Sequence, residues 1–190
     1  MVNVNYGDIK SIMMFPEEVD YITSLIREMP ESGTMVEWGS GGSTCKWLET
    51  KHASQTLITI EHNAEWYNKV TNSVNTVFGL SVPNFIFLHK QPVQGFYDHG
   101  FGGIEEENPF GLSEYMNPTQ DVFNANLFFI DGIARGPIAA CIFLRRKHLD
   151  SKVLIHDFSP RMAAYNWISQ FCDIKFVGPT LAQLTYKLPY

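Results

Sequence analysis

The sequence predicts an α/β fold in which helices wrap a doubly wound, mostly parallel sheet of seven strands. Three observations carry that reading. Short apolar runs rich in β-branched and aromatic residues alternate with stretches of helical periodicity, the pattern of parallel strands joined by crossover helices. One of these runs leads straight into the glycine-rich stretch Gly39-Ser40-Gly41-Gly42, where a strand-to-helix turn of an open sheet belongs. The last two runs flank Gly178-Pro179-Thr180 and read as an antiparallel C-terminal hairpin.

A first helix is expected from Pro16 to Met29, because Val19, Ile22, Leu25, Ile26 and Met29 recur at three- and four-residue spacing. Pro16 suits its first turn, and Pro30 with Gly33 stops it. Thr34–Trp38 and Thr56–Glu61 are the first two strands, separated by a helix over Ser43–Thr50. Asn63 is placed to cap a helix that runs to about Phe78 with Trp66, Tyr67, Val70 and Val74 on one face. Asn84–His89, Asn126–Asp131 and Lys152–Asp157 follow as strands. Pro137 lies in the first turn of a helix that buries Ile138, Cys141, Ile142 and Leu144, and another helix covers Met162–Gln170. Asp173–Val177 and Gln183–Lys187 form the closing hairpin.

The 190 residues suit a single domain over 1–190, with a long loop or lid inserted at about 91–125. That insertion carries Gly95, Gly100, Gly102, Gly103 and Gly111, the acidic run Glu105–Glu107, and several aromatics, with short helices expected around Leu112–Met116 and Gln120–Asn124. Fourteen Lys and Arg against twenty Asp and Glu give a net charge of −6, which argues against a general nucleic-acid grip. No apolar run is long enough to span a bilayer, and the opening MVNVNYGDIK lacks the features of a signal peptide. Three widely separated cysteines, Cys45, Cys141 and Cys172, suit a reducing compartment, so a cytoplasmic location is expected. No oligomeric state follows from the sequence.

The stretch Met35-Val36-Glu37-Trp38-Gly39-Ser40-Gly41-Gly42-Ser43-Thr44 is the most informative. Glycines let a ligand approach the backbone, and the first turn of the helix offers N–H donors. A Walker phosphate loop would end in Gly-Lys-Ser/Thr, and the lysine is missing; a dinucleotide fingerprint would place glycine where Thr44 stands. Glu37 would repel a nearby pyrophosphate but stabilise the ammonium and sulfonium of S-adenosylmethionine. Glu61 ends the second strand, where a carboxylate can accept hydrogen bonds from both ribose hydroxyls of an adenosine ligand.

The pattern Glu-x-Gly-x-Gly-Gly resembles the first motif of class I S-adenosylmethionine-dependent methyltransferases, and the C-terminal hairpin agrees with their sheet. The resemblance implies the Rossmann-like methyltransferase fold and cofactor contacts through Glu37, Gly39, Ser40, Gly41, Gly42, Ser43, Thr44 and Glu61. Ile130-Asp131-Gly132 with Arg135, paired with Ile155-His156-Asp157-Phe158 followed by Arg161 and Tyr165, resembles a little-characterised methyltransferase-like subgroup. Ile133 departs from that pattern, where an arginine is often seen. Both segments end strands and should face the same crevice as the glycine loop. Asp131, His156 and Asp157 are the candidate catalytic residues, with Asp131 and His156 preferred as base. As neighbours on a strand, His156 and Asp157 should point to opposite faces unless the strand end twists.

Arg135, Arg161 and Tyr165 are the candidate substrate-binding residues. Asp131 and Asp157 could share a divalent cation, but Phe158 stands where a third oxygen ligand would be needed, so no metal is assigned. Cys45 lies near a helix start without a paired histidine and is read as structural; His52 and His62 match no ligand spacing. The expected activity is methyl transfer to a small-molecule or saccharide hydroxyl. Two alternatives stay open: a non-catalytic adenosyl-ligand binding protein, and an NAD-linked oxidoreductase, which Glu61 also permits.

Overall fold

A computed structural model describes residues 1–92, 109–119 and 121–187. The glycine and acidic positions expected to form a lid, 95–107, lie outside the described residues. The main sheet has the order β5-β4-β3-β6-β7-β9-β8, built from Phe85–His89, Thr56–Glu61, Thr34–Trp38, Leu127–Ile130, Lys152–Ile155, Ala182–Tyr186 and Cys172–Phe176. The first five are parallel, and β9 runs antiparallel to both β7 and β8. The chain leaves β3 towards β4 on one side and later returns to β6 on the other. That reversal creates a crevice at the carboxyl ends of β3 and β6.

Both faces of the central strands are covered, so their sequences are apolar without polar alternation. Met35, Leu57, Leu127, Phe129 and Leu154 point to one face, under the helices α1 (Pro16–Glu28), α2 (Gly42–Thr50) and α3 (Ala64–Phe78). Val36, Trp38, Ile58, Ile60, Phe128 and Ile130 point to the other. There they meet the short helix α4 (Ser113–Met116) and the helix α5 (Arg135–Arg145), which supply Tyr115, Ile138, Ala139 and Ile142. Each fully buried side chain of this size contributes about 1.5–3 kcal/mol relative to an exposed one.

Local chemistry explains the element boundaries. Pro16 sits in the first turn of α1, and the Asn63 side chain caps α3 by accepting a hydrogen bond from the Trp66 N–H at 2.8 Å. Val70 and Val74 are buried as expected of α3, while Trp66 is exposed and turned towards the crevice. On α5 the inward positions are Ile138, Ala139, Ile142 and Phe143; Leu144, expected inside, is 81% exposed. The helix expected over Met162–Gln170 divides into α6 (Met162–Tyr165) flanked by 3-10 turns at Ser159–Arg161 and Asn166–Gln170.

One element is not anticipated by the sequence reading: a β-hairpin of β1 (Val2–Tyr6) and β2 (Ile9–Ile12), turned at Gly7 with φ of 61°. Tyr6, Ile9 and Ile12 are buried in the same apolar cluster as the inner faces of α2 and α3. The hairpin passes so close to the start of α2 that a Cβ on Gly42 would lie 2.5 Å from the Ser11 carbonyl oxygen. Gly42→Ala is therefore expected to destabilise the protein by about 1–3 kcal/mol, read as a lower urea midpoint.

Candidate active site

The glycine loop is shaped by two close backbone approaches. Gly39 leaves β3 with φ of 87°, and a Cβ there would meet the Gly132 nitrogen at 2.6 Å. Only glycine reconciles this conformation with that contact. Gly39 N–H donates to the Ile60 carbonyl, and Asp131 N–H to the Trp38 carbonyl. The exits of β3, β4 and β6 are thus drawn together around one cleft.

This cleft has a volume of about 540 Å3. Gly39, Ser40, Glu61, Asn63 and Trp66 form one side, and Asp131, Gly132, Ile133 and Arg161 the other. The Trp66 indole N–H donates to the Ser40 carbonyl at 2.6 Å, and the Lys69 ammonium lies 4.8 Å above the Trp66 ring. A smaller pocket of about 250 Å3 continues from it between the hairpin and Gly41, Gly42 and Ser43.

Glu61 is at the cleft wall and only 2% exposed. One carboxylate oxygen accepts from Ser40 N–H and the Ser40 hydroxyl, at 2.9 and 2.8 Å. The other accepts from the backbone of His62 and Asn63. Burial opposes its charge, but these donors and the His62 ring hold it below the usual carboxylate range. Of the four donors, only the Ser40 hydroxyl can rotate away to let a ligand hydroxyl take its place.

Glu37 lies elsewhere than expected. Its carboxylate is fully enclosed behind the loop, where Ser43, Thr44, Trp47 and Thr59 all donate to it at 2.7–3.0 Å. Thr44 in turn accepts the Gly41 N–H. Glu37 therefore builds the loop from within instead of facing the cleft, and Thr44 is likewise buried.

On the opposite side, β6 and β7 end at Ile130 and Ile155, earlier than expected, and Asp131, His156 and Asp157 lie in the turns that follow. Asp157 has φ of 52°, a left-handed turn residue, so it does not alternate with His156 across a strand. The pair converges instead: ligand atoms of Asp131, His156 and Asp157 all lie within 4.8 Å of one another. Asp131 faces the cleft, whereas His156 sits behind it, 3% exposed, with Nδ1 2.7 Å from the Asp131 carboxylate.

Arg135 occupies the centre of this cluster. Its guanidinium lies 3.5 Å from both Asp131 and Asp157, and it donates to the carbonyls of Gly132 and His156. Burial disfavours its charge, but Asp131 and Asp157 outweigh that and raise its pKa. Arg135, expected to hold substrate, does border the cleft, and its guanidinium is engaged by both aspartates, so it also clamps two strand exits. Asp131, His156 and Asp157 are close enough together to hold a cation, and the Arg135 guanidinium, 3.5 Å from each aspartate, competes for the same charge. Tyr165 is corrected, being fully buried against Phe158 in the core. Arg161 does line the cleft. Cys45 is buried, with its thiol pushed up to about 12, which suits the structural role.

The sequence reading passed over His62, Trp66, Lys69 and the hairpin as parts of the site. Each had a visible signal: His62 directly follows Glu61, Trp66 opens the helix after it, and Val2, Val4 and Tyr6 alternate before a Gly-Asp turn.

No protein-family model matches the chain, and no curated protein does. Solved structures resemble it. A methyltransferase-like protein from Silicibacter pomeroyi has a TM-score of 0.68 at 17% identity, over 95% of this chain and 90% of that one. The S-adenosylhomocysteine-bound methyltransferase PaMTH1 of Podospora anserina gives 0.62 at 13% identity, over 92% and 80%. The precorrin-6y C5,15-methyltransferase of Geobacter metallireducens gives 0.57 at 12% identity, over 96% and 95%. At these identities the likeness establishes the fold: the chain has the Rossmann-like fold of these methyltransferases, with its antiparallel C-terminal hairpin.

Proposed function

We propose that the protein is a cytoplasmic methyltransferase that moves a methyl group from S-adenosylmethionine to a hydroxyl of a small-molecule or saccharide acceptor. The observation that carries this reading is the pairing, across one cleft at the sheet's reversal point, of the Glu61–Ser40 unit with the Asp131 carboxylate. The cleft volume falls within the about 300–1,000 Å3 of typical small-molecule sites. Gly39 and Gly41 leave the loop backbone open on either side of Ser40, and the Glu61 carboxylate can accept a ribose hydroxyl once the Ser40 hydroxyl turns. The residues present therefore fit an adenosyl ligand.

When bound, S-adenosylmethionine supplies the methyl group, its carbon–sulfur bond breaking as the acceptor oxygen bonds to the methyl carbon. The chain's task is orientation, which can contribute many orders of magnitude when the reacting atoms are aligned. Glu61, Ser40 and the loop would hold the adenosyl end, and Ile133 and Arg161 would border the acceptor. Asp131, the cleft-facing carboxylate of the cluster, would take the hydroxyl proton. His156 is too enclosed to reach an acceptor directly. The three cysteines stand free, which supports a reducing compartment, and no described helix is long and apolar enough to cross a membrane.

Glu61 would also serve the ribose of NAD, so the test is comparative. Calorimetric titration is expected to show micromolar binding of S-adenosylhomocysteine and none of NAD. Glu61→Gln should weaken that binding about 10- to 100-fold, because a hydrogen bond to a charged group contributes about 1.5–3 kcal/mol. Binding of NAD alone would replace this reading with the oxidoreductase. Binding of S-adenosylhomocysteine without turnover on any hydroxylated acceptor would favour the non-catalytic binding protein.

A further inference from the structure

We infer that Glu18 is a positioning residue of the proposed methyl-transfer site, fixing the Asp131 carboxylate through the imidazole of His156. The inference rests on the methyltransferase reading for its catalytic meaning, but its geometry stands without it.

Glu18 lies on α1, in the first turn, and is completely buried. A carboxylate near a helix start usually caps in solvent; a buried one needs donors and a compensating cation. Its Oε1 accepts from Thr180 N–H, the Thr180 hydroxyl and Leu181 N–H at 2.6–2.9 Å, which ties α1 to the turn of the C-terminal hairpin. Its Oε2 accepts from Phe15 N–H at 3.1 Å and lies 3.5 Å from His156 Nε2. The other ring nitrogen, Nδ1, meets Asp131 at 2.7 Å.

His156 thus has a carboxylate opposite each nitrogen. A neutral imidazole has one N–H and would turn a lone pair towards one of those carboxylates; only the imidazolium points an N–H at both. The charged groups facing it are Glu18 from α1, Asp131 from the exit of β6, Asp157 at 3.8 Å from its own turn, and Arg135 of α5, which holds its carbonyl. Burial opposes the positive charge, yet the Asp131 hydrogen bond and the charges of Asp131 and Asp157 prevail, so the ring titrates above its ordinary 6.5. Hydrogen-bonded to Asp131 through Nδ1 and with Nε2 turned to the Glu18 carboxylate 3.5 Å away, the ring is kept in one orientation, and its Nδ1–H fixes which way the cleft-facing carboxylate points.

The sign for pH follows. The imidazolium exists below the raised pKa and is lost as pH rises through it; removing the Glu18 charge moves that loss to lower pH. The experiment is an NMR titration of the His156 ring in wild type and Glu18→Gln, together with the pH profile of kcat/KM. The expected result is a lower midpoint in the variant, and a basic limb of the rate profile displaced to lower pH by the same amount. S-adenosylhomocysteine affinity should be unchanged, because Glu18 does not reach the cleft. A merely structural role would lower the amplitude of the profile without moving its limb.

Gly178→Ala is the second variant. Its new Cβ would press on the Glu18 side chain and push the carboxylate away without altering any charge, so the midpoint should again fall. An unchanged His156 midpoint in whichever variant folds would overturn the inference. Failure of the methyltransferase reading appears separately, as absent cofactor binding or turnover in wild type, and leaves the titration readable.

Discussion

Asp131→Asn is expected to lower kcat by about 10²–10⁴-fold, the range for losing a positioned general base, while S-adenosylhomocysteine affinity changes far less. The asparagine keeps the oxygen that accepts from His156 Nδ1 and the shape of the cleft wall, so the loss isolates the proton-accepting group. A carboxylate suffices as base here: the acceptor hydroxyl turns strongly acidic only as its oxygen bonds to carbon, and the proton leaves late. Arg135 and His156 keep Asp131 aimed, which favours orientation over intrinsic basicity. Steady-state kinetics with calorimetry on the same variant checks the prediction. Retention of kcat within tenfold would move the base elsewhere.

The sheet was legible because each of its strands is a local event. Thr34–Trp38 and Thr56–Glu61 carry β-branched or aromatic residues at positions buried on both faces, and each ends at a residue that must turn. The glycine loop was legible for the same reason, since Gly39 answers a backbone need at one position. What the chain hid is tertiary pairing. Glu37 reads as a charge beside a cationic ligand until Ser43, Thr44, Trp47 and Thr59 are folded around it. Arg135 reads as an anion grip until Asp131 and Asp157, 26 positions apart in sequence, close on it from two strand exits. Leu144 is apolar but lies about 200° around the helix from Ile142, opposite the buried face of α5, so it points to solvent. Glu18 gave no signal, because its partners lie 138 and 162 positions along the chain at His156 and Thr180.

Glu37→Ala is expected to be the most destabilising single change, at about 3–5 kcal/mol. Truncation strands the Trp47 indole N–H and three hydroxyls in a site with no water access, and each stranded group costs about 1–3 kcal/mol less whatever its own relaxation recovers. The Gly41–Thr44 turn loses its internal brace, so cofactor binding should go with it. Glu37→Gln separates the brace from the charge. Its amide oxygen can accept from Ser43 and Trp47, and the Thr44 and Thr59 hydroxyls can turn to accept from its nitrogen. Burial, the dominant influence, pushes the Glu37 carboxyl from 4.5 up to about 7 despite the donors from Ser43, Thr44 and Thr59. A carboxyl raised on folding takes up a proton, so the associated stability is present below 4.5 and is lost as pH rises towards 7. Urea unfolding should therefore find wild type losing roughly 3 kcal/mol of relative stability between those pH values, while Glu37→Gln lacks that loss. Cofactor affinity of Glu37→Gln should stay near wild type. A large drop in affinity in a stably folded Glu37→Gln would instead mean that the buried charge is felt by the cationic end of the ligand through the loop.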